Sequence, residues 1–255
     1  MAKRKKRSLL STVFITVIIL AVLAVAAYYI SSFFLKPSFV HYKQYGIDIP
    51  RNYSLHGIDV SKHQGIISWK DVKEMQVKDV KIDFAFIKAT EGIGRIDEQF
   101  RRNWFNAQKA GIPKGAYHFF IASKSGKAQA ENFLETVQPQ KGDLYPVLDV
   151  EQTFGTSIDV LQQRVSDWLI AVEKVYHVKP IIYTNADFYR IFLAGRFDDY
   201  PLWVAHYLVQ DKPRVTREWL IWQHSETGHV NGISNFVDFN VFNGDSTAFK
   251  KLLLR

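Results

Sequence analysis

Between His56 and Phe242 eight short apolar runs recur, most of them ending on polar side chains. They are HGIDVS (56–61), FAFIKATEG (84–92), KGAYHFF (114–120), YPVLDVE (145–151), KPIIYTN (179–185), PLWVAHY (201–207), WLIWQHS (219–225) and FVDFNVF (236–242). Runs of this length and near-continuous apolarity are the pattern of strands covered on both faces. The first five are separated by segments with helical spacing. In SIDVLQQRVSDWLIAVEKVYHV, Ile158, Leu161, Val165, Trp168, Leu169, Val172 and Tyr176 recur every three or four positions. DEQFRRNWFNAQKAG spaces Phe100, Trp104, Ala107 and Ala110 the same way and stops at Gly111, a natural C′ glycine. Ser125 is placed to cap a helix through GKAQAENFLETV.

Strand and helix in alternation predict an α/β fold with a parallel sheet, and eight strands predict a single TIM-like barrel. An open doubly wound sheet is the alternative. The last gaps shorten to about 11 residues, near the minimum for a helical crossover. The final two or three strands are therefore expected to lack covering helices, and some to run antiparallel.

The N-terminus has a different texture. Leu9–Leu35 is apolar and uncharged, longer than the roughly 20 residues needed to span a bilayer. Five basic residues, Lys3 to Arg7, precede it, and only scattered lysines follow, which predicts a cytoplasmic N-terminus. The expected organisation is a basic cytoplasmic tail (1–8), a transmembrane signal-anchor (9–35), a linker (36–54) and the barrel domain (55–255) on the extracytoplasmic side. A signal peptide cleaved near Ala24-Val-Ala-Ala27, releasing a secreted domain, is the alternative.

Charge and composition narrow the function. The formal net charge is +8, but the basic N-terminal cluster supplies five of those charges. No second basic cluster follows, so a nucleic-acid partner is not expected. With no cysteine, the domain has neither disulfides nor thiolate metal sites and must rely on its core. No phosphate loop, dinucleotide fingerprint or G-x-S-x-G elbow appears.

If the strands close into a barrel, their polar C-terminal ends converge on one mouth. Asp59, Lys88, Glu91, Tyr117, His118, Asp149, Glu151, Tyr183, Asn185, His206, Gln223, His224, Asp238 and Asn240 are the candidates. Side chains alternate along a strand, so Asp149 and Glu151 share one face of YPVLDVE. Two acids on one face of an apolar strand repel each other and resist desolvation, which raises the pKa of at least one. A protonated carboxyl beside an ionised one is the equipment of a glycosidase. Their Cα atoms would lie about 6.6–6.8 Å apart and their carboxyls about 5–8 Å, which leaves retaining and inverting chemistry both open. Participation by a substrate acetamido group is a third route. Tyr117, Tyr183, Trp203, Tyr207 and Trp222 suit the apolar faces of sugars. The duller readings are a Mg²⁺ or Ca²⁺ site, structural histidines, and tryptophans that are only core. No metal or other cofactor is expected.

The ordered motifs GIDVSKHQG (57–65), FAFIKATEG (84–92), Phe100-x-x-Asn103, AGIPKGAYHFF (110–120), YPVLDVE and FVDFN (236–240) resemble those of the glycoside hydrolase family 25 muramidases, over essentially all of 55–255. The resemblance implies a (β/α)5(β)3 barrel and metal-free cleavage of the β-1,4 bond between N-acetylmuramic acid and N-acetylglucosamine in peptidoglycan. It implies Glu151 as general acid/base and Asp149 as the residue that orients or stabilises the acetamido group. Asp59 and Asp238 would line the cleft and tune the pair, and Tyr117 would contact substrate or Asp149. Apart from the resemblance, Tyr183, Trp203 and Gln223 are expected from their place at the strand ends to contact substrate. A non-catalytic wall-binding scaffold, or a hydrolase of chitin-like polymers, are the competing readings.

Overall fold

In the computed structural model, backbone is described for residues 9–34, 38–209 and 211–255, and side chains for 13–26 and for 38 onward except Gln210. Residues 1–38 and 39–255 form separate compact units. The first carries helix α1 (Leu9–Phe34), uncharged throughout. Among the described residues no helix is long and apolar enough to cross a membrane. The tail over 1–8 and residues 35–37 lie outside the described residues.

The segment read as a linker is partly folded. An antiparallel hairpin, β1 (Phe39–Tyr42) and β2 (Ile47–Pro50), turns through Gly46, whose φ of 68° favours glycine. Tyr45 and Ile49 are fully buried, and the Tyr45 hydroxyl donates to the Val80 carbonyl at 3.1 Å. Short apolar positions interrupted by a turn left too little periodicity to distinguish this hairpin from a linker.

From there the chain builds a closed barrel. Its strands are β3 (His56–Val60), β5 (Val80–Glu91), β7 (Lys114–Phe119), β8 (Val147–Asp149), β9 (Ile181–Asn185), β10 (Leu202–Ala205), β11 (Ile221–Gly228) and β12 (Val237–Phe242). Two short strands, β4 (Gln76–Val77) and β6 (Arg95–Ile96), fold back on β5. Neighbours pair in parallel around the ring, except that β12 runs antiparallel to both β11 and β3. Helical segments follow the first five barrel strands: α2 (Trp69–Glu74), α3 (Phe100–Lys109), α4 (Gly126–Thr136), α5 (Ile158–Tyr176), and α6 (Ala186–Phe188) with its π-helical continuation. The last three strands succeed one another without a helix, and α7 (Ser246–Lys250) follows them. The expected antiparallel strand is thus the closing one.

Helix ends follow local chemistry. The hydroxyls of Ser125 and Ser157 accept from the amides of Ala128 and Val160, and Gly111 leaves α3 at φ 69°. α5 buries Leu161, Val165, Trp168, Leu169 and Val172 against the barrel, while Ile158 remains largely exposed. The strand expected over 145–151 is only three residues long, Val147–Asp149. Pro146 has no amide to donate to a ladder, and Glu151 lies beyond the last paired residue.

Two apolar clusters result, one between strands and helices and a second inside the barrel. The inner one is floored by Phe84, Phe86, Trp203 and Phe249. Gly57 pairs with Phe84 across β3 and β5, and a Cβ there would collide with the Phe84 ring. Below, Lys114 and Asp143 form a fully buried ion pair, with the Lys114 ammonium 4.1 Å from the Trp104 ring centre. Gly57→Ala is expected to overpack the floor and cost about 1–3 kcal/mol, seen as a lowered thermal midpoint. An unchanged midpoint would show that the Phe84 ring is free to move aside.

Candidate active site

Strand parity decides which polar groups meet. On each strand the residues packed in the inner cluster, such as Phe86, Val147, Tyr183, Trp203 and Ile221, fix the inward set. Asp59, Lys88, Tyr117, Asp149, Gln223, Asp238 and Asn240 share that parity. Asp59, Lys88, Tyr117, Asp149, Glu151 and Asp238 border a cavity of about 440 Å³ at the strand ends.

Asp59 is the anchor of a buried network. One of its oxygens accepts from Gln223 Nε2 at 2.8 Å and from Asn240 Nδ2 at 2.7 Å. Gln223 Oε1 in turn accepts the hydroxyls of Tyr183, at 2.7 Å, and Tyr207. Asn240 Oδ1 accepts the Trp203 indole N–H at 2.8 Å. The β12–β3 register sets Asp238 directly opposite Asp59, and their carboxyls are hydrogen-bonded. On the other side of the mouth Asp149 is almost completely buried, and its Oδ1 has no hydrogen-bond partner. Lys88, held at 2.8 Å by Glu91, lies 4.6 Å from the Phe119 ring centre.

The structure therefore sorts the expected residues. The four acids, Glu151, Asp149, Asp59 and Asp238, border one cavity, and so do Tyr117, Tyr183, Trp203 and Gln223. Trp203 and Gln223 are only 2% exposed, so they brace Asp59 and offer little face to a sugar. Trp222 points outward into an aromatic group with Tyr53, Trp219 and Phe39. His118 also points outward, stacked on Trp168 and bonded to Thr90 and Gln129. His224 is buried with both ring nitrogens unpartnered. His206 accepts from the Arg214 amide, and Asn185 caps α6. Adjacent strand residues cannot both face the mouth, which is why His118 and His224 drop out beside Tyr117 and Gln223. Glu226, which carried no sequence signal, also borders the cavity, and so does Gln64, a residue of the GIDVSKHQG motif that is not among the sequence candidates. Glu226 follows register shifts in β11 that break its alternation. Among the described residues, no group of three or more histidine or acidic side chains is arranged to hold a metal ion.

Burial dominates the electrostatics. It raises Asp238 to about 9, helped by the charge of Asp59, and raises Asp59 to about 6 against the pull of its Asn240 and Gln223 donors. The two therefore hold one proton between them at neutral pH, with Asp238 as donor. Burial also raises Asp149, with the charge of Glu151 adding to it, and raises Glu151, with the charge of Asp59 adding. Lys88 opposes both shifts. A carboxyl raised in the folded state binds more protons than in the unfolded chain. Its contribution to stability is present at low pH and is lost as pH rises through the folded value. Asp238→Asn preserves the donor to Asp59 and removes this loss. The variant is expected to gain about 1 kcal/mol over the parent by pH 8, the gain growing as pH rises from 4 to 9 in denaturant titrations. A gain independent of pH would refute the shared-proton assignment.

Comparison with known proteins identifies the family. Residues 58–233 match the glycosyl hydrolases family 25. Lysozyme M1 of Streptomyces globisporus is 36% identical over 207 residues, covering 75% of this chain and 69% of that protein. Escherichia coli K12 YegX is 48% identical over 202 residues, covering 79% of this chain and 74% of YegX. The solved structure of a family 25 glycosyl hydrolase from Bacillus anthracis superposes with a TM-score of 0.73 at 31% identity, covering 80% of this chain and 95% of that one. On the family match, these identities and the barrel they share, the chain belongs to glycosyl hydrolases family 25 and is a glycoside hydrolase.

Proposed function

We propose that this enzyme hydrolyses peptidoglycan, cutting the β-1,4 bond between N-acetylmuramic acid and N-acetylglucosamine with retention. The observation that carries the reading is the pair at the end of β8: a half-buried Glu151 beside a buried Asp149 whose Oδ1 is unpartnered. A buried carboxylate oxygen without a donor is costly, and the amide N–H of a substrate acetamido group would relieve it. Related proteins named lysozymes support the choice of polymer.

In this mechanism Glu151, whose hold on a proton is strengthened by burial and by the charge of Asp59, donates to the glycosidic oxygen as the bond breaks. The acetamido N–H donated to Asp149 favours the ionised form of that residue against its burial. Asp149 accepts the acetamido N–H and aims the carbonyl oxygen at the anomeric carbon, which it attacks from the face opposite the leaving group. Positive charge spreads over the cyclic intermediate, and the Asp149 carboxylate stabilises it. Glu151, now ionised, takes a proton from the water that opens the ring, so two inversions give net retention. Asp59 and Asp238 keep the field around the pair constant by holding their own proton internally. Tyr117 borders the same cavity and is proposed to contact the sugar.

Digestion of purified peptidoglycan by the full chain, with mass analysis of the borohydride-reduced fragments, tests this. Products should end in reduced N-acetylmuramic acid, and Glu151→Gln should slow their release by about 10³-fold while the fold is retained. Fragments ending in reduced N-acetylglucosamine, or an undiminished variant, would refute the assignment.

We propose further that the N-terminal segment anchors this activity at a membrane, with the basic residues in the cytoplasm and the barrel domain outside. What supports this is a stretch of 26 uncharged helical residues behind five basic ones. In bacterial cells the full chain should stay with alkaline-washed membranes and be digested by protease added from outside. A soluble product beginning after Ala27 would mean instead that the helix is a cleaved signal.

A further inference from the structure

Lys88 is a wall of two cavities. The second, of about 320 Å³, is lined besides by Lys62, Glu91, Arg95, Ile96, Asp97 and Glu98. Its frame is fixed: the buried Asp97 accepts the Lys62 amide on one oxygen and the Gln99 amide on the other, both at 3.0 Å. This ties the turn after β3 to the segment after β6. Two of its cations, Lys62 and Arg95, by contrast reach solvent. Lys62 approaches Glu98 at only 3.5 Å, with both side chains about half exposed or more. Arg95 donates through one nitrogen to Glu91 at 2.6 Å, and its side chain is 73% exposed. The exposed Lys62–Glu98 pair contributes little to stability and is readily exchanged for another carboxylate, and the exposed Arg95 guanidinium keeps further N–H donors beyond its bond to Glu91. Ile96, 42% exposed, adds an apolar surface to the same lining.

If the cleft takes peptidoglycan, as proposed above, the glycan occupies its length, and the peptide on the lactyl ether of muramic acid has to leave sideways. That peptide is short and acidic and carries small apolar side chains. We infer that this second cavity is a binding site for the acidic peptide substituent. Lys62 and Arg95 pair with its carboxylates, and Ile96 packs on its methyl-bearing residues. Recognition there makes the enzyme prefer peptide-bearing glycan over bare glycan.

The test compares two substrates, intact peptidoglycan strands and the same strands stripped of peptide by an amidase, using the full chain and its Lys62→Ala/Arg95→Ala variant. The double variant should lose roughly tenfold in kcat/KM on peptide-bearing strands and nothing on stripped strands, which also shows that it is folded. Added salt should weaken the parent on the first substrate and leave the second unaffected. Equal loss on both substrates, or no loss on either, would overturn the inference. A parent enzyme that cleaves neither would instead refute the peptidoglycan reading itself.

Discussion

Closure of the barrel by one antiparallel strand sets the terms for everything at its mouth. β12 pairs with β3 so that Asp238 faces Asp59, and two carboxyls in a buried position cannot both be charged. The fold resolves this by supplying donors to one of them: Gln223 and Asn240, each held by a further aromatic donor, fasten the charge on Asp59. The remaining proton stays on Asp238. Asp149 and Glu151 then sit beside a fixed negative charge, with Lys88 as counterweight, and burial in that environment raises the pKa of both.

Much of the machinery is invested in holding, with little of it in reach of solvent. Tyr183, Trp203, Gln223 and Asn240 are nearly inaccessible, and each occupies an inward position on a different strand from the others. Their hydrogen bonds run across the barrel interior, so the position of Asp59 reports the registration of five strands at once. Groups on rigid strands keep their geometry better than groups on loops. Glu151, two residues past the end of its strand, is the exception among the acids. Its backbone neighbour Val150 still donates to Tyr183 at 2.9 Å, which limits how far it strays.

The barrel and the ring of acids were legible in the chain because both depend on period-two alternation and on the shortening gaps between runs. Alternation was over-read where adjacent residues, Tyr117 with His118 and Gln223 with His224, were both assigned to the mouth. It failed at Glu226, where register shifts in β11 reset the phase. Depth was not legible at all. Trp203 has the inward parity of a substrate platform, but only the packing of Phe86 at 4.7 Å and Tyr183 at 4.6 Å shows that it lies too deep for one. The hairpin over 39–50 escaped because its strands are four residues each, too short for periodicity to register.

That hairpin has a mechanical consequence. Phe39 enters it beside Pro50, so the chain arrives and departs at the same end. Tension applied upstream would therefore peel its pairs one after another, as a zipper opens, and would not load them together. Its resistance would come from Tyr45 leaving its place against Phe239. Once opened, the segment releases 12 residues, about 40 Å of extended chain. The barrel would gain that much reach before any of its own strands felt the load.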